Sequence, residues 1–161
     1  MIWPVRGDGT ARFEIIDYFD SFDGPNDYAF LSNFYASPIR VNTLKYPTVE
    51  HYFQSRKSRD YHKRAQIGNA SSPGKAKALG RTCKLVPNWE QIKVGVMIRG
   101  VRAKFWQHAD LGDKLIATGD ALLVEGNTWD DRIWGVVDGE GENLLGLILM
   151  LVRAELRLRR G

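Results

Sequence analysis

The stretch PIRVNTLKYPTVEHYFQSRK, residues 38–57, carries two periodicities in succession. From Pro38 to Pro47 apolar residues alternate, Ile39 and Val41 on the way out and Leu44 and Tyr46 on the way back, around an Asn42-Thr43 pair that can turn. Period-two alternation on both sides of a turn signal predicts a short hairpin. Thr48 follows a proline and can cap a helix running to about Arg59, because its hydroxyl can accept from the orphan amides of a first turn. Strand pattern passes into helix pattern within a few residues, so the chain mixes both classes.

Outward from this stretch the helical signals dominate. Ser72-Pro73 is a cap followed by the residue preferred at the first helical position, and it opens a helix through Ala76 and Leu79 that ends near Gly80. Asn88 can cap the next helix, in which Val94, Ile98, Val101 and Phe105 recur at helical spacing. Leu111 to Thr118 reads as a short helix stopped by Gly119. Leu145, Leu149, Val152 and Leu156 mark the buried face of a last helix. β-Rich EIIDYF, residues 14–19, precedes a loop over Asp20 to Asp27 containing Gly24, Pro25 and Asn26, and Leu122 to Val124 suggests a brief strand. No repeat or linker divides the chain. The expected fold is α+β: a single compact, mostly helical domain over residues 1–161, with a small antiparallel β element near the N-terminus and a basic end over 153–161.

At 161 residues the chain is large enough for a hydrophobic core without covalent staples. A single cysteine, Cys83, excludes an internal disulfide framework and a multi-cysteine zinc site. The longest apolar stretch, Leu144 to Val152, has nine residues including Gly146, about half of what a membrane span needs. No membrane partner is therefore expected. The N-terminus, MIWPVRGDGTARFE, lacks the apolar core of a secretion signal, which makes the cytoplasm the expected compartment. The net charge of +4 permits an anionic ligand without requiring one. Part of it lies in Arg153, Arg157, Arg159 and Arg160, read either as cations complementing a helix C-terminus or as a phosphate-binding arm.

The helix after Thr48 carries the most chemistry. At 100° per residue, Glu50, Gln54, Lys57 and Tyr61 fall within a stripe about 40–60° wide, with Val49, Tyr52 and Phe53 beside it as the core face. Glu50 and Lys57 are two turns apart, too far for a simple helical ion pair but placed to grip one ligand; the plainer alternative is a solvated polar stripe. Five tryptophans, Trp3, Trp89, Trp106, Trp129 and Trp134, offer either core anchors or stacking faces for bases and sugars. In WDDRIWGVVDGEGEN, residues 129–143, glycines can bring backbone N–H groups close to a ligand, but neither a dinucleotide fingerprint nor EF-hand spacing is present. His51, His62 and His108 lack metal-ligand spacing, and His51 faces away from Glu50. Cys83 has no identifiable base and reads as a small buried residue, while Ser71 and Ser72 look like caps.

Taken in order, FLSNFYASPI (30–39), YPTVEHYFQSRK (46–57), SSPGKAKALGR (71–81), NW (88–89), RAKFWQH (102–108), LLVE (122–125), DRIWG (131–135) and GEGENLLGLILMLVR (139–153) form a set. That set resembles the NADAR, or YbiA-like, family over roughly residues 14–156. The resemblance implies an N-glycosidase, and the missing ligand cluster implies a metal-independent reaction; no cofactor is expected. It also implies a substrate in which a phosphorylated ribose is joined to an exocyclic amine. Two substrate types follow from it, ADP-ribose on guanine bases of nucleic acid, which the basic charge favours, and ribosylamino-pyrimidine intermediates of riboflavin synthesis. A non-catalytic ADP-ribose-binding module is a third alternative. DNA carrying ADP-ribosylated guanine is the implied macromolecular partner.

By the same resemblance the catalytic residues are Glu50, Lys57 and Asp131, with Asp130 competing for the last place. Substrate would be bound by Ser32, Asn33, Phe34, Gln54, Trp89, Trp134, Gly135, Gly139, Gly141 and Asn143. At least two of Trp89, Trp134 and Phe34 are expected to line one cleft with Glu50.

Overall fold

The computed structural model describes residues 14–17 and 27–161. Trp3, the end of the EIIDYF segment and the expected loop as far as Asn26 lie outside these residues. Six α-helices and four short strands are present among them, in the α+β class expected. They divide into two compact units, residues 33–108 and a second formed by 14–17, 27–32 and 109–161.

The first unit opens with the hairpin, β2 (Ile39–Val41) and β3 (Leu44–Tyr46); the first strand in chain order, β1 (Ile15–Asp17), belongs to the other unit. The register pairs Ile39 with Tyr46 and Val41 with Leu44, and Asn42 turns at φ 53°, the left-handed region that asparagine tolerates. Ile39, Val41 and Tyr46 are buried whereas Leu44 is half exposed, so the alternation is cleaner on β2 than on β3.

Thr48 caps α1 (Val49–Ser55), accepting from the His51 amide at 3.3 Å. All seven residues of α1 are buried. Its neighbours are α2 (Tyr61–Gly68), α3 (Pro73–Arg81), α4 (Trp89–Gln107) and β3. Close approach shows at Gly100, where an added Cβ would lie 2.9 Å from the Tyr52 ring and 3.0 Å from Val49. The helix ends at Ser55 rather than near Arg59. The Arg56 amide already shares the Tyr52 and Phe53 carbonyls, and the Lys57 amide bonds Gln54 O at 3.2 Å, tightening the last turn. Tyr61 therefore leaves the predicted stripe and begins α2, where it is 74% exposed.

Helix α2 has Ile67 and Gly68 as its buried residues, so it carries almost no apolar period; the Asp60 carboxylate caps it by accepting from Lys63 N at 3.0 Å. Ser72 caps α3 as expected, accepting from Lys75 N at 3.1 Å. Asn88 precedes α4 without a side-chain cap, its carbonyl taking the Gln91 and Ile92 amides instead. The buried line of α4 runs through Met97, Val101 and Phe105, with Val94 and Ile98 half-buried beside it.

In the second unit β1 pairs in parallel with β4 (Leu122–Val124), a pairing between distant segments that local pattern does not announce. Helix α5 (Ala109–Ala117) is followed by Gly119 at φ +58°, and α6 (Leu144–Arg160) packs on α5 and β4. The arginines of α6 are largely committed within the unit. Arg153 is buried and donates to Thr118 Oγ1 at 2.7 Å and Ala121 O at 2.9 Å, Arg157 pairs with Asp120 at 2.8 Å, and Arg160 pairs with Asp113. Among the described residues, no helix is long and apolar enough to cross a membrane.

His51 locks the start of α1 to the chain before α3. Its Nε2 lies 3.1 Å from Ala70 O, an acceptor, so the proton sits on Nε2; Nδ1, 2.8 Å from Thr48 Oγ1, then accepts from the hydroxyl. Burial pushes its pKa below the ordinary histidine value, against the opposing bond to Ala70. The unfolded chain therefore takes up a proton first as pH falls, and that proton favours unfolding. Unfolding free energy measured by denaturant titration should fall between about pH 7 and pH 5, and His51→Gln, though less stable at pH 7, should show a flatter dependence.

Candidate functional site

The most polar part of the first unit's interior is built around α1. Glu50 occupies its first turn, where the amide donates to Asn33 O at 3.1 Å. Asn33 is buried as well and its side-chain amide reaches Met97 Sδ at 3.3 Å, tying the SNF segment to both α1 and α4. One turn on, Gln54 Nε2 donates to Glu50 Oε1 at 2.8 Å. Glu50 is 6% exposed and Gln54 4%, so they form a buried polar pair and not a solvated stripe.

That hydrogen bond fixes which way the Gln54 amide points. With Nε2 on the carboxylate, Oε1 faces away from it, buried and without a hydrogen-bond partner. It lies against Gly80, where an added Cβ would come within 2.0 Å. A buried carbonyl oxygen left unpaired costs about 1–3 kcal/mol, which a donor on a ligand could recover.

Lys57 follows the end of α1 in the tightened turn, and its carbonyl accepts from Val86 N at 2.7 Å. The ammonium lies 5.7 Å from the centroid of Phe53 and 5.9 Å from that of Trp89, rings that are themselves 5.2 Å apart and tilted by 57°. Burial lowers the Lys57 pKa; Glu50 and Cys83 act against this, while Arg81 and Lys77 act with it. The result is a half-buried amine whose neutral form is more accessible than that of a surface lysine. Lys77 stands 5.6 Å from the Phe34 ring. Cys83 is only half-buried, with its thiol donating to Gly80 O at 3.2 Å.

Glu50, Gln54, Lys57 and Trp89 are thus neighbours around α1, with Asn33 at its start. Phe53, read from the sequence as core, is also a wall of the lysine site. Gly80 was legible only as a helix end; what makes it part of the site is its proximity to Gln54, which no local pattern encodes.

The remaining sequence-predicted residues lie in the second unit. Ser32 is buried at the end of the single 3₁₀ turn Ala29–Leu31, its amide bonding Ala29 O at 3.1 Å. Asp131 organises its own turn: Oδ1 accepts from Ile133 N at 3.2 Å and Trp134 N at 2.9 Å, while its backbone is clasped by Asn127 on both sides. Asp130 instead points to Arg132 at 3.0 Å, with its own φ at +61°. Asn143 is fully buried, and its amide bridges Glu125 N and Leu123 O, both at 3.0 Å, so its side chain pins the entry of α6 to β4. Gly135 and Gly141 sit where backbones touch: a Cβ on Gly135 would meet Glu125 O at 2.3 Å, and one on Gly141, at φ +155°, would meet Gly135 O at 2.2 Å. Gly139 adopts φ +80° between Val137 and Glu140, which exchange backbone bonds. Trp134 is half-buried in the same loop. Among the described residues, no three of His, Cys, Asp and Glu gather as metal ligands.

The sequence matches the NADAR domain over residues 18–157. The chain belongs to the NADAR family. It is 43% identical to N-glycosidase YbiA of Escherichia coli (strain K12) over 163 aligned positions, covering 98% of this chain and 99% of that protein. The NMR structure of the E. coli protein YbiA superposes with a TM-score of 0.82 at 41% identity, covering 96% of this chain and 92% of the other. N-glycosidase Npun_R5314 of Nostoc punctiforme is 40% identical over 81% of this chain and 86% of its own length. A riboflavin biosynthesis protein of Vibrio vulnificus, VVA0006, is 37% identical over 84% of this chain, which spans only 38% of that longer protein.

Within this NADAR chain the Gly80–Gln54 contact can be tested against an internal control. Gly74 lies in the same helix with open space around a Cβ, so Gly74→Ala should be neutral or add up to about 1 kcal/mol of stability through helix propensity. Gly80→Ala must displace Gln54 from Glu50 and should destabilise by about 1–3 kcal/mol. Equal thermal midpoints for the two variants would contradict the contact.

Proposed function

We propose that the N-glycosyl bond cut by this hydrolase joins a phosphorylated ribose to an exocyclic amine, and that its substrate is ADP-ribosylated guanine in nucleic acid. Hydrolysis of an N-glycosyl bond is supported by 43% identity to N-glycosidase YbiA over nearly the whole of both chains. The linkage to an exocyclic amine is supported by Lys57, an amine kept against Phe53 and Trp89 with its charged form disfavoured by burial, close enough to Glu50 for the two to interact.

A ribosylamine differs from an ordinary glycoside because its ring can open to an imine at the anomeric carbon. A neutral lysine amine can add to that carbon; the bond to the departing amine then breaks, and that amine leaves with a proton. Water hydrolyses the resulting lysine imine, releasing the sugar and restoring the free amine. Glu50 relays the protons that both halves require and stabilises positive charge at the anomeric carbon. Gln54 orients Glu50, and the buried Phe53 and Trp89 rings keep water from the lysine amine. The alternative role for Lys57, a permanent cation contacting a phosphate, leaves Glu50 to assist direct attack by water.

A second substrate reading draws on the relative named as a riboflavin biosynthesis protein: ribosylamino-pyrimidines cut to ribose 5-phosphate and the free amine. The chemistry at the anomeric carbon is the same. The basic charge of +4 favours the nucleic-acid substrate. Assaying both side by side separates them. Release of unmodified oligonucleotide from an ADP-ribosylated strand supports the first, and cleavage of the pyrimidine intermediate alone supports the second. Binding of ADP-ribose with no turnover of either identifies a non-catalytic module.

Glu50→Gln should lower the turnover rate at least about 10²-fold, as expected for loss of a general acid–base group. Borohydride added during turnover should trap a protein–sugar adduct in the parent enzyme and none in Lys57→Arg. The rate should rise with pH and level off below the usual lysine range, because only the neutral amine adds. Continued Glu50-dependent cleavage without any trapped adduct would exclude the covalent route.

A further inference from the structure

One face of α4 and the β2–β3 hairpin frame a groove of about 510 Å³ that shares no residue with the Glu50–Lys57 site. Arg40, Arg99 and Arg102 line it together with Trp106, and no carboxylate among the described residues does. The nearby sequence explains the imbalance. Residues 38–47 contain no acidic residue, and α4 contains Glu90 alone, which is paired with Lys93 at 2.6 Å. Gly95 and Gln107 mark the extent of the groove along α4, about 18 Å at 1.5 Å per residue.

Both walls are fastened to each other. The Arg40 amide donates to Gln107 Oε1 at 2.8 Å and Gln107 Nε2 returns a bond to Arg40 O at 2.7 Å. Arg99 donates to Asn42 Oδ1 at 3.0 Å, and His108 Nε2 lies 2.8 Å from Pro38 O. The cations are therefore held on a preformed frame. Trp106 is 44% exposed, with the Arg102 guanidinium 5.9 Å from its ring centroid.

We propose that this groove docks single-stranded nucleic acid, the phosphates on Arg40, Arg99 and Arg102 and a base on Trp106. Three guanidinium groups in one concavity repel one another and favour a polyanion. An acidic peptide would engage the cations by charge alone and leave the indole face in water, whereas a nucleotide strand alternates anionic and flat aromatic groups and uses both. The proposal rests on the reading that the ribosyl group is carried on nucleic acid. It adds a second contact region that retains the strand apart from the reacting sugar.

Labelled strands of about 20 nucleotides, unmodified, as DNA and as RNA, should be titrated by fluorescence anisotropy against the full chain at about 50 and 200 mM salt. Expected is salt-sensitive binding of at least one strand. Arg102→Gln should weaken it at least about fivefold and reduce the salt slope by about one. Trp106→Ala should weaken it about 5- to 150-fold, with Trp106→Phe restoring most of the loss. Both variants should hydrolyse a small ribosylamine substrate at the parent rate, which also certifies that they fold. Unchanged strand binding in the variants, or displacement of the strand by polyglutamate at equal charge, overturns the proposal, the latter in favour of an acidic protein partner. Normal small-substrate turnover with no strand binding overturns the groove alone; strand binding without turnover of any ribosylamine overturns the enzymatic reading alone.

Discussion

A seven-residue helix with every side chain buried imposes a strict condition, because four of those side chains are polar. Each must find a partner inside the protein or cost free energy comparable to a lost hydrogen bond. Ser55 meets the condition by donating to Tyr52 O at 2.7 Å, His51 by spanning Thr48 and Ala70, and Glu50 by accepting from Gln54. Gln54 meets it only in part. The neighbours of α1 are shaped by the same demand for close approach, with glycine at 100 on α4 and at 80 on α3 where the helix comes nearest. Moving any one of these residues disturbs the carboxylate and the lysine together, so fold and candidate chemistry are not separable in this unit.

Much of this was readable from residue order. The hairpin, the Thr48 and Ser72 caps and the apolar stripe of the last helix each rest on interactions within a few residues, which is why pattern alone locates them. Helix α2 escaped because burying only Ile67 and Gly68 leaves no stripe to detect, although the Asp60 cap was present in the sequence. The parallel pairing of Ile15–Asp17 with Leu122–Val124 is a nonlocal contact and has no local signature. At the site, Glu50, Gln54 and Lys57 could be grouped by helical angle, but the end of α1 at Ser55 and the burial of the stripe depend on what packs around it. Family resemblance named Trp89 where periodicity could not.

The glycine-rich segment shows how a motif residue can be required for reasons internal to the chain. Asn143 spends its amide on β4, and Asp131 spends a carboxylate oxygen on two backbone amides. Gly135 and Gly141 are tolerated by neighbouring carbonyls only because they lack a Cβ. These interactions set the path of the loop between β4 and α6, and that path decides where Trp134 and the backbone amides stand. Whatever these residues offer a substrate, they offer it from a turn that is already internally bonded.

The pairing of β1 with β4 joins a segment near residue 15 to one near residue 122, while residues 33–108 complete their own contacts in between. On the ribosome these two units mature in a different order from that in which they begin. The inserted unit can form its internal contacts once residue 108 has emerged. The outer one must hold its first strand unpaired until β4, and then α6, are synthesised. That waiting strand exposes Ile15 and Ile16 along an open edge, the kind of apolar surface that chaperones engage and that aggregation exploits.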